Sequence, residues 1–223
     1  MTDINPALFS KAHIRASLEA RPSQAADDML WLAGSSRELR ARVRAAMPSA
    51  PRPAAVLVPL VERPEGLAVL LTERAATLKA HAGQISFPGG RIEAEDHDPW
   101  SAALREAQEE IGLAPEHVEF AGYLPDHLVG TGFRVTPAVG FVKVGYGLKL
   151  AAAEVHDAFE VPLDFILDAA NHKPRLRTLG DVTLETYDIP YRGRNIWGAT
   201  AGMLMTLRRL LQEHASPAWR GNS

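Results

Sequence analysis

The chain has 223 residues and a formal net charge of −3, which suits one globular domain with an extension or at most two small domains. Apolar residues make up 46% and charged residues 23% of the sequence, an ordinary balance that excludes a chain disordered throughout. A dedicated nucleic-acid binder would usually be basic, so the acidic balance argues against nucleic-acid partners. The absence of cysteine excludes a disulfide scaffold, a thiolate zinc site and a cysteine nucleophile.

Membrane and export signals are not recognisable in the sequence. No stretch approaches the roughly 18 uninterrupted apolar residues of a membrane helix, and we therefore expect no membrane partner. The first residues lack an apolar core and include Asp3 and Glu19, which are not typical of secretory or transit signals. We expect a cytoplasmic location.

Residues 1–50 differ in pattern from the rest of the chain. They hold short amphipathic helical patterns at Ala26–Leu32 and Ser36–Met47, and a proline-rich break follows at residues 48–53. The sequence thus predicts a helical N-terminal extension and linker over residues 1–50 and a main domain over residues 51–223. Three roles stay open for the extension, namely covering the sheet, capping the site or forming a homodimer contact.

After the break, the apolar runs have the lengths of strands. Strands are predicted at residues 54–61, 67–72, 83–87, 118–124 and 135–142, and a hairpin at residues 178–189 with Gly180-Asp181 at its turn. Helices are predicted at residues 99–111 and 199–214, with a short helix within residues 155–166. Because strands outnumber the separated helices, the fold class is α+β or a mixed-sheet α/β sandwich.

The predicted helix at residues 99–111 carries a cluster of carboxylates. Asp98 suits its N-cap and Gly112 its C-terminal stop. At 100° per residue, a core-facing stripe is formed by Trp100, Leu104, Ala107 and Ile111. The opposite, unobstructed face presents three neighbouring carboxylates, Glu106, Glu109 and Glu110, flanked by Ala102 and Ala103.

Two interpretations of the three glutamates stay open on spacing alone. A charged helix face is often simply solvated, but such faces usually mix signs, and here only Arg105 reaches a glutamate, Glu109, at i+4. Clustered carboxylates repel one another, and a divalent cation among them removes that cost. Oxygen ligands without cysteine suit Mg²⁺ or Mn²⁺, which commonly completes its coordination with substrate phosphates. The second interpretation predicts a phosphate ester or anhydride as substrate.

The same segment resembles the Nudix box. The matching positions are Gly90, Asp96, Arg105, Glu106, Glu109, Glu110 and Gly112. In the general box a glutamate stands at the position of Asp96, and here one extra residue separates it from Arg105, so the role of Asp96 stays open. The resemblance implies a Nudix-type α/β/α sandwich with a mixed sheet, and hydrolysis of a nucleoside diphosphate linked to another group. It further implies Mg²⁺ or Mn²⁺ held by Glu106, Glu109 and Glu110, with Arg105 orienting a ligand.

The segment from Leu70 to Gly90 resembles the signature of the coenzyme A-cleaving branch of that family. The matching positions are Leu70, Leu71, Thr72, Arg74, Ala75, Lys79, Gly83, Phe87, Pro88, Gly89 and Gly90. Lys79 stands where the family has arginine, so a planar phosphate contact becomes a point-charge contact. The resemblance implies cleavage of coenzyme A, and of acyl derivatives, to 3′,5′-ADP and 4′-phosphopantetheine. It implies substrate binding by Arg74, Lys79, His81, Gly89 and Gly90, although Arg74 and Lys79 alone would also suit ordinary surface positions.

The sequence leaves more than one candidate for the general base and for the substrate. Glu154 is a further candidate for base or metal ligand, and Asp157 is a weaker one. The competing substrates are ADP-ribose, a dinucleoside polyphosphate or an oxidised nucleotide. A non-catalytic nucleotide-binding module is the alternative from another functional class.

Overall fold

Strands hold more residues than helices in the computed structural model, which describes residues 10–19, 36–47, 49–78, 81–179 and 182–215. The strands are β1 (Arg52–Arg63), β2 (Gly66–Arg74), β3 (Ile85–Ser86), β4 (Gly89–Arg91), β5 (Val118–Tyr123), β6 (His127–Val129), β7 (Phe133–Val142), β8 (Val155–Pro162), β9 (Lys173–Leu179), β10 (Val182–Tyr191) and β11 (Arg194–Ile196). The helices are α1 (Lys11–Glu19), α2 (Arg37–Ala46), α3 (Pro99–Ile111), α4 (Leu163–Leu167) and α5 (Gly198–Ala215).

The larger sheet is mixed, because β1 pairs with β7 in parallel whereas its other pairings are antiparallel. On its other edge, β1 pairs with β4 near its start and with β2 near its end. Between these two pairings the amide of Leu57 donates to the carbonyl of Pro88 at 2.9 Å. The segment from β3 to β4 therefore fills the space between the diverging strands β1 and β2, which places Gly89 and Gly90 inside the sheet.

Helices cover both faces of this sheet, as an α/β/α sandwich requires. On one face, Ala55, Leu57 and Val61 of β1 pack in a cluster with the buried side of α3. On the other face, Val58 and Leu60 pack in a cluster with α1, α4 and α5. A strand buried on both faces is a near-continuous apolar run, and residues 54–61 have that pattern. The predicted mixed-sheet sandwich is thus confirmed.

The smaller sheet is an antiparallel meander in the order β9, β10, β11. It confirms the predicted hairpin and lengthens it in both directions, while the predicted turn at Gly180-Asp181 lies outside the described residues. Val43 and Met47, from α2 and its C-terminal end, pack against Val182 and Leu184 of β10. This contact attaches the N-terminal part of the chain to the C-terminal sheet.

Two segments differ from the sequence prediction in part. The short helix predicted within residues 155–166 is confirmed as α4, which begins at Leu163, whereas residues 155–162 form strand β8 along β2, which the sequence did not predict. The strand predicted at residues 83–87 is reduced to Ile85–Ser86. The local pattern did not contain the pairing partners that decide these two cases.

The N-terminal predictions are confirmed where they can be compared. Helix α2 lies within the predicted residues 36–47, whereas the pattern at residues 26–32 falls outside the part of the chain that the structure describes. Helix α1, which the sequence patterns did not single out, packs on α5 and β5. A boundary at residue 50 between extension and main domain stays a prediction. None of the described helices is long and apolar enough to cross a membrane.

Candidate active site

Local capping residues fix the ends of helix α3. The Asp98 carboxylate accepts from the Ser101 amide at 2.7 Å, and the Ser101 hydroxyl accepts from the Asp98 amide at 3.0 Å. Pro99 occupies the first turn, and Gly112 ends the helix with φ of 69°, a left-handed conformation that glycine adopts without strain. The predicted bounds are therefore confirmed.

The orientation of α3 differs from the prediction. Ala103, Ala107 and Ile111 are fully buried, whereas Trp100 and Leu104 are only half-buried. The small alanine side chains let α3 lie close to the sheet. The side of α3 that faces the sheet therefore lies nearer to the carboxylates than the sequence predicted. As a result, Glu110 is only 5% exposed, and the expected open face is wrong for that residue. Glu109 is exposed and Glu106 is half-buried.

The backbone of two consecutive glycines, Gly89 and Gly90, lies next to the carboxylates of α3. The Gly89 amide donates to Glu110 Oε2 at 3.2 Å. A Cβ atom at Gly90 would lie 2.5 Å from the Glu106 carboxylate, and one at Gly89 would lie 2.4 Å from the carbonyl oxygen of Ala55. A side chain at Gly89 would collide with the backbone of β1, and a side chain at Gly90 would displace the Glu106 carboxylate from its position.

Arg105 is the centre of the polar contacts above the sheet. Its Nε and Nη2 donate to the two carboxylate oxygens of Asp96 at 3.1 and 3.0 Å. Its Nη1 donates to Glu106 at 3.0 Å and to Glu109 at 3.2 Å, and Nη2 also donates to the Arg91 carbonyl at 3.0 Å. The guanidinium lowers the pKa of Asp96. Asp96 thus holds Arg105 in a bidentate pair, a partnership that the sequence left open.

Burial and mutual repulsion perturb the carboxylates that face the sheet. Burial raises the pKa of Glu110 to about 7, with the negative charges of Glu106 and Glu154 adding to the effect; the Gly89 amide and the Arg74 charge oppose it. Burial also raises the pKa of Glu106, against the effect of Arg105 and with Glu109 and Glu154 adding to it. Glu154 comes from the turn before β8, where its carbonyl accepts from the amide of Ala75, the residue after Arg74, at 2.8 Å.

The residues of the upstream motif lie at different distances from this cluster. Arg74 Nη1 is 3.9 Å from Glu110 Oε1, and Arg74 Nε is buried without a hydrogen-bond partner. His81 lies on an exposed turn with φ of 59°, and its Nδ1 is 2.9 Å from Gln84 Oε1. Lys79 lies outside the described residues.

Asp157, the weaker candidate for the base, is already paired. Its carboxylate accepts a hydrogen bond from Arg194 of β11, which also bonds Glu73 of β2 at 3.3 Å. The sequence missed this cluster, because only the register of β2 against β8, with Glu73 opposite Asp157, brings its members together. Asp157 is therefore less available than Glu154 to accept a proton.

The donor set of the acidic cluster suits a hard divalent cation. Carboxylate oxygens are the ligands that Mg²⁺ and Mn²⁺ prefer, and a cation would offset the burial and the added repulsion that raise the pKa values of Glu106 and Glu110. Over the residues that the structure describes, no three acidic or histidine side chains already surround a common metal position. Instead, Arg105 holds Glu106 and Glu109, and Gly89 with Arg74 holds Glu110. Binding would require these side chains to turn toward one another.

Comparison with known proteins identifies the family. The family model of the NUDIX domain matches residues 51–177, more than half of the chain. The chain belongs to the Nudix family. A protein of Cronobacter sakazakii named uncharacterized Nudix hydrolase NudL is 43% identical over 160 residues, which cover 70% of this chain and 81% of that protein. A protein of the same name from Citrobacter koseri is 41% identical over the same shares.

A solved structure agrees with this assignment at the level of the fold. The Nudix hydrolase RenU of M. smegmatis superposes with a TM-score of 0.51 at 20% identity, covering 73% of this chain and 86% of RenU. As a Nudix hydrolase the protein is a pyrophosphohydrolase, and its class of substrate is the nucleoside diphosphate derivative. Enzymes of this family generally use divalent metal ions, which agrees with the donor chemistry of the acidic cluster.

Proposed function

We propose that this Nudix hydrolase cleaves the diphosphate of coenzyme A, and of its acyl derivatives, to 3′,5′-ADP and 4′-phosphopantetheine. The observation that carries the proposal is the contact between the two sequence motifs. Arg74 and Gly89 of the segment that resembles the coenzyme A-cleaving branch both contact Glu110 of the acidic helix. Gly90 of the same segment lies against Glu106. These contacts support a single site in which the upstream segment binds the substrate and the acidic helix carries the chemistry.

Glu106, Glu109 and Glu110 would hold Mg²⁺ or Mn²⁺. When bound, the ion neutralises charge on the diphosphate and makes a coordinated water more acidic. Arg105 positions Glu106 and Glu109, and Asp96 fixes Arg105 through its bidentate pair. Burial raises the pKa values of Glu110 and of the half-buried Glu106, so a bound cation would stabilise their ionised forms.

The remaining site residues bind the substrate and move the proton. Water attacks one phosphorus, the bond from that phosphorus to the bridging oxygen breaks, and the second phosphate leaves with the bridging oxygen. Glu154, whose charge adds to the raised pKa of Glu110 and whose backbone bonds the residue after Arg74, is proposed to accept the proton of the attacking water. Arg74 has a buried Nε–H without a partner and is suited to donate to a phosphate oxygen. Lys79 and His81 are proposed as further cationic or donor contacts to the substrate.

A substrate panel tests the proposal. Full-length protein with Mg²⁺ or Mn²⁺ is given coenzyme A, an acyl-coenzyme A, ADP-ribose and a dinucleoside polyphosphate, and products are identified by mass spectrometry. We expect coenzyme A to have the highest kcat/KM and to give 4′-phosphopantetheine. Preferred turnover of ADP-ribose would refute the specificity, and wild-type protein inert toward every diphosphate would favour a binding module instead.

Other expectations from the sequence stay predictions. They are a cytoplasmic location, a lack of nucleic-acid and membrane partners, and a homodimer contact through residues 1–50. Gel filtration of the full chain and of a chain that begins at residue 51 tests the homodimer.

A further inference from the structure

A basic cavity lies in the smaller sheet, away from the acidic helix. Its volume is about 390 Å³, and it is lined by residues of β9, β10, β11 and the β10–β11 turn. Four of the lining side chains are cationic and one is acidic; they are Lys173, Arg175, Arg192, Arg194 and Asp188. Arg194 is paired with Glu73 and Asp157, so the excess of positive charge at the cavity comes from the other three cations, and it would attract an anion.

The acidic member of the cavity is already neutralised. Asp188 is buried at 5% exposure, and it accepts from Arg177 at 2.6 Å and from Asn195 at 3.0 Å. Arg175 lies 3.5 Å from the same carboxylate and keeps a side chain that is 66% exposed. Since one buried carboxylate is shared by two arginines, the positive charge of the cavity is not cancelled by it.

Two further cations have no acidic partner among the described residues. Lys173 Nζ donates only to the Ala170 carbonyl at 3.1 Å, which leaves its charge unpaired. The guanidinium of Arg192 lies 5.2 Å from the centre of the Tyr191 ring, a contact that orients it without neutralising it. Both side chains can therefore donate to an anion that enters the cavity.

Arg192 also occupies a strained backbone position. It forms the two-residue β10–β11 turn with Gly193, and their φ values are 47° and 82°. Turns of this kind favour asparagine, aspartate or glycine at the first position, and arginine there costs on the order of 1 kcal/mol. A role in binding an anion would explain why arginine occupies this strained position at the rim of the cavity.

The cavity is connected to the active site through strand β2. Arg194, which lines the cavity, bonds Glu73, and the next residue, Arg74, reaches Glu110. Glu73 and Arg74 are adjacent residues at the end of β2, with a β-bulge between them. The cavity and the acidic cluster are therefore connected through contacts to the same end of one strand.

We propose that this cavity binds a phosphate monoester. Arginine guanidinium groups and a lysine ammonium together form charge-assisted hydrogen bonds to phosphate oxygens. The monoester is carried either by the substrate, at a distance from the diphosphate that is cleaved, or by a separate phosphorylated small molecule. The first source rests on the proposed function, and the second does not.

Calorimetry on the full chain without metal tests the cavity itself. The probes are adenosine 3′,5′-bisphosphate and inorganic phosphate. The Lys173→Asn/Arg192→Asn double variant removes the two unpaired cations, and asparagine suits the left-handed turn position, so folding is preserved. Lys143→Asn removes an exposed lysine outside the cavity and is the control.

The expected result is a rise of about tenfold or more in the Kd of adenosine 3′,5′-bisphosphate in the double variant, and an unchanged Kd in the control. Equal Kd values in the wild type and the double variant, or no measurable binding to the wild type, would overturn the proposal. An unchanged melting temperature in the double variant confirms that the loss is local.

Kinetics then separates the two sources. If the monoester belongs to the substrate, the double variant raises the KM of coenzyme A but not of dephospho-coenzyme A, with kcat unchanged. If it belongs to a separate molecule, calorimetric binding falls while both KM values stay constant. If the wild type cleaves neither compound, the proposed function fails while calorimetry still decides whether the cavity binds phosphate.

Discussion

Replacing Glu110 with glutamine removes the most deeply buried carboxylate of the acidic cluster, which is only 5% exposed. Glutamine has nearly the same shape, and its carbonyl oxygen can still accept from the Gly89 amide, as the carboxylate does at 3.2 Å. The substitution therefore imitates the protonated form of Glu110 at every pH. The comparison with wild type isolates the cost of ionising a buried group.

The magnitude follows from the pKa of Glu110, which burial raises from 4.5 to about 7. Below pH 4.5 the carboxyl is protonated in both the folded and the unfolded states, so it adds no pH dependence. Between pH 4.5 and 7 the folded state keeps a proton that the unfolded state releases, and the free energy of unfolding falls as pH rises. Above pH 7 the loss is complete and amounts to about 3 kcal/mol.

The assay is denaturant unfolding of the metal-free protein, in chelator, at pH 4.5 and pH 8. The free energy of unfolding of Glu110→Gln, relative to that of the wild type, should be about 3 kcal/mol higher at pH 8 than at pH 4.5. This corresponds to roughly 6–12 °C in Tm. Glu109→Gln is the control, because Glu109 is 60% exposed and its surface pair with Arg105 contributes at most about 1 kcal/mol. The difference in free energy of unfolding between Glu109→Gln and the wild type should be nearly the same at both pH values.

An equal difference between Glu110→Gln and wild type at pH 4.5 and pH 8 would refute the reasoning. Such a result would mean that Glu110 ionises without cost, and that the fold does not hold a carboxylate ready for a cation. Adding Mn²⁺ at pH 8 extends the test, since a ligand of the folded state stabilises it. The wild type should gain more in Tm than Glu110→Gln does.

Three further predictions concern the geometry around helix α3. Gly90→Ala places a methyl group 2.5 Å from the Glu106 carboxylate and should lower kcat at least about tenfold, whereas Gly147→Ala, with no atom within 4 Å, should leave kcat unchanged. Arg105→Lys cannot reproduce the bidentate pair, and steady-state kinetics should show a drop of about tenfold in kcat with little change in KM; an unchanged kcat would contradict a positioning role. Asp98→Ala removes the N-cap and should cost about 1 kcal/mol in urea unfolding, and a loss near zero would show that the cap is dispensable.

The sequence predicted those features that depend on neighbouring residues. Helix α3 begins and ends where expected, because Asp98 and Gly112 act on the adjacent backbone. The strand at residues 54–61 was equally recognisable, because burial on both faces leaves an unbroken apolar run. The i+4 contact between Arg105 and Glu109 also follows from helix geometry alone.

Features that depend on distant residues could not be predicted. Residues 155–162 form strand β8 by pairing with β2, and this long-range partner is not visible in the local pattern. The burial of Glu110 depends on how far α3 rotates toward the sheet, and periodicity defines the faces of a helix without defining which one is covered. The pair of Arg105 with Asp96 spans a loop whose path the sequence does not specify.

The central claim is that Glu106, Glu109 and Glu110 together coordinate a divalent cation that binds the diphosphate of the substrate. Anomalous diffraction from crystals of the full chain soaked in MnCl₂ tests it most directly. We predict a manganese peak within coordination distance of these carboxylates, since Arg105 contacts only one oxygen of Glu106 and one of Glu109. The absence of a peak among them, in crystals of protein that also cleaves no diphosphate, would contradict the account.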